Sequence, residues 1–442
     1  SKLSIGKKQA IFQTIDPIEY ENTMNDDEPP ERLPIREIPL VSVEYAATSQ
    51  ESAADFASQN TDFPYQSKPI SKKAGSKPIH LFLEQSTFLS ASEIEKQMSV
   101  NLGSKRSLTP ELRHDFLPQM KNIKKASWRN LVGSTTFTLS RNIANIIPCE
   151  RLYLKFEGNN PSGTQKDRIA MKLCEEAKNL GFQSITTATC GNFGSALAIA
   201  AAHFDIDTYI FIPSGYHVPK DRLKMMTGPK TKIEYVGGQY EDAVYYSSDL
   251  SKEHNWYNAN PGMNGSTEVS MDGYSEISFE IFRALRRSPE YIVCPVGNGT
   301  TIAGIHFGFK KLLAAKKISA LPRLIATSTV RGNPIVKSWK LKSAKVIDLK
   351  PDEIRETKTN EPLVNWHSFD GQLALDAIYE SKGFADYASD GKMQEYSTLL
   401  RQIEGLNVLP ASASTLAVLN GLTKNGVPLK GTFVAILTGR ES

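Results

Sequence analysis

Four short stretches of the sequence combine residue types that could do chemistry, and each lies where a strand pattern gives way to a helical pattern. The first, "SGTQKDR", places Lys166 after small, turn-forming residues and at the start of an amphipathic pattern. A helix N-terminus carries partial positive charge, which disfavours an ammonium group and lowers the pKa of its lysine. Lys166 could therefore act as a nucleophile, although most lysines in proteins simply face solvent.

The second stretch, "TATCGNFGSALA" (187–198), is a strand pattern followed by a Gly-Asn turn and a helix of small residues. Glycine lets the main chain approach a ligand closely, Asn192 offers a donor and an acceptor, and a helix N-terminus favours an anion. A tight turn that uses Gly and Asn only for their backbone conformation explains this stretch equally well.

The remaining two stretches also end in turns before helices. In "VCPVGNGTTIAGI" (293–305), main-chain N–H groups and two hydroxyls could cradle a phosphate. The spacing matches neither the dinucleotide nor the Walker fingerprint, so a single phosphate is indicated. In "NVLPASASTLAVL" (407–419), Ser412 and Ser414 precede a helix, where capping of its N-terminus is the simpler interpretation.

The elements that must position these stretches alternate regularly from about residue 150. Runs such as "DTYIFIP" and "EYIVCPVG" predict strands, and patterns such as "DRIAMKLCEEAKNLG" predict helices. This alternation predicts a doubly wound α/β fold with parallel sheets. Residues 1–115 are mostly polar and predict an extension of partly irregular structure, and residues 340–371 look like an irregular surface excursion.

Composition narrows the possible functions of the 442-residue chain. A net charge of +4 from 52 basic and 48 acidic residues indicates no nucleic-acid footprint, and no apolar run is long enough to span a membrane. The sequence shows neither a secretion signal nor a CxxC pair, and its four widely spaced cysteines predict a reducing, cytoplasmic location and no metal site. These cysteines are Cys149, Cys174, Cys190 and Cys294.

In this order on a doubly wound sheet, the four stretches resemble the fold type II pyridoxal-phosphate enzymes, the family of cysteine synthase, threonine synthase and tryptophan synthase β. The resemblance extends from "SWRNLVGSTTFTLSRN" (127–142) to the final "VAILTGRES". It implies that the cofactor lies between two doubly wound domains. The larger, cofactor-binding domain would comprise residues 116–165 and 286–442, and the smaller, mobile domain residues 166–285, after the N-terminal extension.

The resemblance also implies a role for each matching residue. Lys166 would hold pyridoxal 5'-phosphate as a Schiff base and move the substrate's α proton. Asn192 would bond the cofactor's 3′-oxygen, and Ser412, rather than Ser414, would face its pyridine nitrogen. The cofactor phosphate would lie on Gly297, Asn298, Gly299, Thr300 and Thr301. The substrate would contact Ser162, Thr164, Thr189, Cys190, Gly191 and Phe193.

The expected reaction follows from the ring-nitrogen partner and from departures within the family. A serine leaves the pyridine nitrogen largely neutral, which favours elimination and replacement over transamination. The "GNGTT", "PASA" and "LTGR" stretches look most like threonine synthase and its cysteate synthase-like relatives, and Phe193 removes a hydroxyl that cysteine synthase-like members use. These features predict a lyase or transferase of amino-acid metabolism that expels phosphate from a small anionic amino acid and acts as a homodimer.

Two alternatives stay open at this point. One is a cysteine synthase-like β-replacement synthase that uses an activated serine. The other is a catalytically silent regulatory or partner-binding homologue, although a silent protein has no physical need for Lys166. An anionic substrate also calls for basic side chains near the cofactor, and Lys220, Arg222 and Lys224 are candidates, unless they simply form a solvated helix face.

Overall fold

A computed structural model describes residues 131–189, 191–216, 218–263 and 265–441. The predicted extension (1–115) and Cys190 lie outside these ranges. None of the helices within them is both long and apolar enough to cross a membrane.

In the part of the chain that the structure describes, the larger of two sheets has six strands, and five of them run parallel. The central strands are buried on both faces, as their unbroken apolar sequences predict. The strand order is β1-β2-β10-β7-β8-β9, and only the edge strand β1 is antiparallel to its neighbour. Its strands are β1 (Thr136–Leu139), β2 (Cys149–Phe156), β7 (Tyr291–Pro295), β8 (Arg323–Thr329), β9 (Phe384–Ala388) and β10 (Leu429–Leu437).

The smaller sheet has four parallel strands in the order β5-β4-β3-β6. They are β3 (Ser184–Ala188), β4 (Asp207–Pro213), β5 (Thr231–Val236) and β6 (Tyr257–Asn258). The predicted α/β class with parallel sheets is therefore confirmed. The small sheet falls within the predicted domain 166–285, but the domain boundaries themselves stay a prediction.

Helices connect successive parallel strands, as right-handed crossovers require. The first turns of three of them, α2, α3 and α7, follow the glycine-containing turns singled out in the sequence. The helices are α1 (Ile143–Ile146), α2 (Lys166–Asn179), α3 (Asn192–Phe204), α4 (Lys220–Met226), α5 (Tyr240–His254), α6 (Ser266–Leu285), α7 (Thr300–Ala314), α8 (Pro334–Lys340), α9 (Gly371–Glu380), α10 (Asp390–Leu399) and α11 (Ser414–Lys424).

The main core joins the large sheet to helices α2, α6 and α7. Apolar side chains of α2 such as Leu173 pack in one cluster with Ile277 of α6 and Ile305 of α7. Small residues let α6 and α7 approach closely, and the Ser278 hydroxyl donates a 2.6 Å hydrogen bond to the main-chain oxygen of Ile305. This packing fixes the starts of α2 and α7, where two of the predicted site stretches lie.

Candidate active site

One cavity collects the ends of strands from both sheets. Its lining includes Thr189 after β3, Gly297 after β7 and Thr438 at the end of β10. The carboxyl ends of parallel strands are where α/β sheets usually bind ligands, because the helices that follow point their N-termini there. The structure therefore brings the predicted stretches together from distant parts of the sequence.

Lys166 is the first residue of α2, and its side chain faces this cavity. Its Nζ lies 5.8 Å from the centre of the Phe193 ring, which closes one side. Burial lowers the pKa of the Lys166 amine to about 8, against the opposing effect of the Asp370 and Glu361 carboxylates. A larger fraction of this amine than of an ordinary lysine is therefore neutral near neutral pH, which favours its action as a nucleophile.

The predicted phosphate cradle lines the cavity with all five of its residues, Gly297, Asn298, Gly299, Thr300 and Thr301. Helix α7 begins at Thr300, so its first main-chain N–H groups point at the cavity without helical acceptors. A Cβ atom at Gly297 would lie 2.6 Å from the main-chain oxygen of Pro362, so only glycine fits there.

Two side chains of the cradle already make hydrogen bonds to other residues of the protein. The Thr300 hydroxyl donates to Asp370 Oδ2 at 2.5 Å. The Asn298 oxygen accepts from Asn365 Nδ2 at 3.0 Å and from the Phe369 main-chain N–H at 3.2 Å. Asn298 and Thr300 would therefore serve an anion through their main-chain N–H groups.

The Gly-Asn turn lines the same cavity as the cradle. Asn192 is the first residue of α3 and lines the cavity with Thr164, Thr189, Gly191 and Phe193. The Thr189 hydroxyl oxygen accepts from the N–H groups of Gly191 and Gly194, both at 3.2 Å, which shapes the turn. Cys190, also predicted to contact substrate, is not among the described residues.

Ser162 has a different position from the one predicted. It is buried and absent from the cavity lining, and its hydroxyl donates to Asp167 Oδ2 at 2.6 Å. Burial raises the pKa of Asp167 to about 7, although the hydrogen bonds from the Ser162 hydroxyl and main-chain N–H oppose the shift. Ser162 thus anchors the residue after Lys166 and does not face the cavity.

Ser412 also lies one layer behind the cavity. It is fully buried, and its hydroxyl shares a 2.7 Å hydrogen bond with the hydroxyl of Thr438, which does line the cavity. Ser414 lies elsewhere and pairs with Thr327 at 2.9 Å. Thr438 was not predicted, although its place at the carboxyl end of β10 is a signal that could have identified it.

A third wall comes from the segment between α8 and α9 (residues 341–370), which we call the connecting segment. Glu356, Glu361 and Asn365 of this segment line the cavity, and a short 3-10 helix spans Glu361–Leu363. The interpretation of residues 340–371 as a surface excursion is therefore wrong for this part. No local sequence pattern indicated it, because the wall forms only when the segment folds back over the cradle.

Of the two acidic groups of this wall, Glu361 is half-buried and Glu356 is exposed. Burial raises the pKa of Glu361 to about 7, although Lys166 opposes the shift, and it also raises the pKa of Glu356. The Glu361 carboxyl group makes no hydrogen bond or ion pair with the described residues. Among the cavity-lining residues in the described ranges, Lys166 is the sole cationic side chain.

Asp370, at the end of the connecting segment, ties the cradle to the start of α6. Besides Thr300, it accepts from the Thr267 hydroxyl at 2.9 Å and from the Gly262 N–H at 3.0 Å. Burial raises its pKa, and these three donors oppose the shift. Asp370 thus fixes the Thr300 rotamer and links the cradle to a second helix.

A buried ion network supports Lys166 from behind. Arg168 bonds Glu157 through Nε at 2.6 Å and Nη2 at 2.9 Å, and it bonds Glu280 through Nη1 at 2.8 Å and Nη2 at 2.9 Å. Lys155 adds a 2.5 Å contact to Glu280. The network joins α2, β2 and α6 next to the predicted nucleophile.

The donor set fits the cofactor that the sequence resemblance implies. An amine at Lys166, a glycine turn at Asn192, a helix N-terminus at Thr300 and a neutral hydroxyl at Thr438 surround one cavity. The described part of the chain contains no cluster of three His, Cys, Asp or Glu side chains that could hold a metal ion. The chemistry available here is that of a lysine, hydroxyls and carboxyl groups.

Comparison with known proteins agrees with this geometry. A family model described as "Pyridoxal-phosphate dependent enzyme" matches residues 129–439. Threonine synthase of Methanocaldococcus jannaschii is 29% identical over 338 residues, which cover 76% of this chain and 80% of the relative. Threonine synthase of Methanosarcina acetivorans is 30% identical over 310 residues, which cover 70% of this chain and 74% of the relative.

Solved structures share the fold. Maize serine racemase superposes with a TM-score of 0.59 at 16% identity, over 74% of this chain and 94% of that chain. The processed form of threonine deaminase isoform 2 from Solanum lycopersicum gives a TM-score of 0.58 at 16% identity, over 84% and 95%. These similarities confirm the predicted fold type II architecture for the part of the chain that they cover.

Proposed function

Because the chain belongs to the family of pyridoxal-phosphate-dependent enzymes, we propose that it eliminates or replaces a side-chain group of an amino acid, with Lys166 as the cofactor-binding lysine. One observation carries the proposal. Lys166 opens α2 inside the cavity that the glycine turn and the cradle also line, with an amine pKa of about 8. A regulatory homologue would not need this arrangement.

Pyridoxal phosphate is the cofactor of this enzyme, and when bound it supplies an electron sink that lets the substrate's α carbon lose a proton. The N-terminus of α7 would hold its phosphate through the N–H groups of Gly299, Thr300 and Thr301. Asn192 would hold its 3′-oxygen. The Lys166 Nζ, freed when substrate enters, would take the α proton, since it is the sole amine among the described residues that line the cavity.

The Thr438 hydroxyl, supported by Ser412, would hydrogen-bond the pyridine nitrogen. The Thr438 hydroxyl lines the cavity, and Ser412 bonds it from behind at 2.7 Å. Two neutral hydroxyls cannot hold a proton on the ring nitrogen as an aspartate would. Because the ring nitrogen would stay largely neutral, this pair supports elimination or replacement over transamination.

Glu361 would act as the general acid for the leaving group and then as the general base for the incoming nucleophile. Its pKa of about 7 leaves it substantially protonated at neutral pH, and no other described residue occupies its carboxyl group. As the bond from carbon to the leaving oxygen breaks, that oxygen takes the electron pair and the Glu361 proton. The resulting carboxylate then accepts a proton from the incoming nucleophile as the new bond forms.

The leaving group that we propose is phosphate, from O-phosphohomoserine or O-phosphoserine. The relatives of this chain that are named threonine synthase, at 26–30% identity, support this substrate class. Phosphate release coupled to formation of a new amino acid would be the expected activity. A much higher kcat/KM for O-acetylserine would instead support the activated-serine synthase.

The test of Lys166 uses the purified holoenzyme. Borohydride reduction followed by peptide mapping should place the cofactor on Lys166, and Lys166→Ala should abolish exchange of the substrate's α proton in D₂O. Lys172, six residues along the same helix and half-buried, is the matched control, because Lys172→Ala should keep both properties. Labelling at another lysine, or full exchange by Lys166→Ala, would contradict the assignment.

Assembly and location complete the proposal. The family resemblance supports a homodimer, which light scattering of the purified enzyme can check. The described cysteines Cys149, Cys174 and Cys294 are free thiols, which supports a reducing compartment such as the cytoplasm.

A further inference from the structure

Asn365, in the connecting segment, has an unused hydrogen-bond acceptor. The residue lines the cavity and is only 5% exposed. Its Nδ2 donates to Asn298 Oδ1 at 3.0 Å, but its own Oδ1 is buried and has no hydrogen-bond partner among the described residues. Because a buried amide oxygen without a donor is costly, this atom calls for a donor that a ligand supplies.

The orientation of this amide group is fixed by its neighbours. Asn298 Oδ1 also accepts from the Phe369 main-chain N–H at 3.2 Å, so Asn298 must place its oxygen there. Asn365 must then present its nitrogen to that oxygen. The main-chain N–H of Asn365 donates to the Gly332 oxygen at 2.9 Å and holds the residue in place. The unpaired atom of Asn365 is therefore an acceptor.

Two carboxyl groups of the same segment also line the cavity without a donor. Glu361 opens the short 3-10 helix just before Asn365 and is half-buried. Glu356 is exposed and lies where the cavity meets solvent. Neither carboxyl group makes a hydrogen bond or ion pair with the described residues. The connecting segment thus offers three acceptors to the cavity and no donor to match them.

The charges around the cavity favour a cation at this wall. Among the described lining residues, Glu356, Glu361 and Asp370 carry carboxyl groups, and Lys166 is the sole cation. Such an arrangement attracts a positive ligand and repels a negative one.

The basic residues considered from the sequence do not change this balance. Lys220, Arg222 and Lys224 are all absent from the described cavity lining. The alternative of a solvated helix face is wrong for Arg222, because only 7% of its surface is exposed. The wall formed by the connecting segment therefore has no basic partner from α4.

We propose that this wall binds the second substrate as an ammonium ion, so that the nucleophile of the replacement reaction is a primary amine; the inference rests on the proposed function. An ammonium group has three N–H donors, no acceptor and a positive charge, so it complements Glu356, Glu361 and Asn365 Oδ1. A thiol offers one weak donor and no positive charge.

The proton balance closes on Glu361. The departing phosphate takes the Glu361 proton, and the carboxylate that remains takes one proton from the ammonium group. The amine nitrogen uses the freed electron pair to bond the substrate's side-chain carbon, and Lys166 returns a proton to the α carbon. The products are inorganic phosphate and a diamino acid whose new nitrogen keeps the other two protons.

The test uses the holoenzyme with β-chloroalanine, whose chloride leaves without the Glu361 proton. Two nucleophiles of similar size are compared: ethanolamine enters as an ammonium ion and 2-mercaptoethanol as a neutral thiol. Substrate that neither captures ends as pyruvate. The ratio of replacement product to pyruvate therefore gives a half-saturating concentration for each nucleophile that does not depend on the amount of active enzyme.

Variants of the two acceptors that are not general bases should affect the amine alone. Asn365→Leu should raise the half-saturating concentration of ethanolamine about 10- to 100-fold, as expected for a lost hydrogen bond to a charged group. Glu356→Gln should raise it about 2- to 5-fold, as expected for an exposed charge, and it tests the wall even if Asn365→Leu does not fold. Both variants should leave the value for 2-mercaptoethanol unchanged.

Glu353→Gln is the matched control, because it removes the same charge from the same segment. Glu353 is exposed, pairs with Lys350 at 3.0 Å and is absent from the cavity lining. This variant should change neither half-saturating concentration.

Two outcomes would overturn the inference. One is a wild type that captures 2-mercaptoethanol but not ethanolamine, and the other is an equal loss for both nucleophiles in Asn365→Leu and Glu356→Gln. Both leave the proposed function intact. A wild-type holoenzyme that forms neither pyruvate nor a replacement product from β-chloroalanine would refute the proposed function itself.

Discussion

Replacing Arg168 with methionine should destabilise the protein strongly, because Arg168 is the centre of the buried ion network behind the nucleophile. It makes four charge-assisted hydrogen bonds to Glu157 and Glu280, and both it and Glu157 are almost completely buried. The variant would leave two adjacent buried carboxylates with Lys155 as their one remaining cation in the network. Removing one partner from such a network costs about 3 to 5 kcal/mol.

The assay is urea unfolding of the holoenzyme at saturating cofactor, followed by circular dichroism. With an m-value near 3 kcal/mol/M, the expected loss moves the midpoint down by about 1 to 2 M. The ion pair between Lys172 and Asp272 is the matched control, since it joins the same two helices, α2 and α6, at 3.1 Å but is partly exposed. Lys172→Met should cost only about 0 to 1 kcal/mol.

The pH dependence of stability gives a second check on the same network. Burial alone would raise the pKa of Glu280, but Arg168 and Lys155 hold it below its usual range, and Glu157 behaves in the same way. A depressed carboxyl pKa contributes stability above the unfolded-state value, about 4.3, and that stability is lost as the pH falls. The difference in stability between Arg168→Met and the wild type should therefore be smallest in acid.

A triple variant tests whether uncompensated charge is the cause. Adding Glu157→Gln and Glu280→Gln to Arg168→Met should recover part of the lost stability, because the buried negative charges are then gone. A cost for Arg168→Met no larger than that for Lys172→Met, or no recovery in the triple variant, would refute the reasoning.

Two further predictions concern the cavity. In the wild type, kcat should fall as the pH rises through about 7, because Glu361 loses the proton that it gives to the leaving oxygen. Glu361→Gln should remove this pH dependence and lower kcat about 10²- to 10⁴-fold. The variant should still react with β-chloroalanine at the wild-type rate, because chloride needs no proton to leave. An unchanged pH profile in Glu361→Gln would contradict that role. Thr438→Val should still bind cofactor but react about 2- to 12-fold more slowly, the equivalent of one lost hydrogen bond of ~0.5 to 1.5 kcal/mol, and Ser412→Ala should have a smaller effect; the reverse order would make Ser412 the direct partner of the ring nitrogen.

The parts of the site that sequence predicted are those encoded by a few consecutive residues. Lys166, Asn192 and Thr300 each begin a helix after a turn, as the local patterns indicated. A strand end, its glycine turn and the start of the next helix are encoded by about a dozen consecutive residues, and parallel strands bring all such turns to the carboxyl edge of the sheet. Convergence of the cradle and the lysine then follows from the fold class alone.

The parts that sequence did not predict depend on contacts between distant residues. Glu361 lies almost 200 positions after Lys166, in a segment with no strand or helix pattern, and only folding places it in the cavity. Ser412 and Thr438 share one hydrogen bond, and sequence cannot show which of the two faces inward. Arg222 reads as one of several basic residues on a short helix, and only its burial distinguishes it.

The connecting segment has a consequence for how this enzyme could acquire a new substrate. Glu356, Glu361 and Asn365 belong to one continuous stretch between two helices, whereas Lys166 and the cradle lie at the starts of helices that follow strands of the large sheet. The wall that meets the substrate's side chain can thus be varied within one stretch, by substitution, insertion or deletion near Glu356 and Glu361, while Asn365 and Asp370, which bond Asn298 and Thr300 of the cradle, are kept. Selection and laboratory evolution both have a small target here, about thirty residues long, in which diversity changes the reaction partner while the catalytic lysine stays in place.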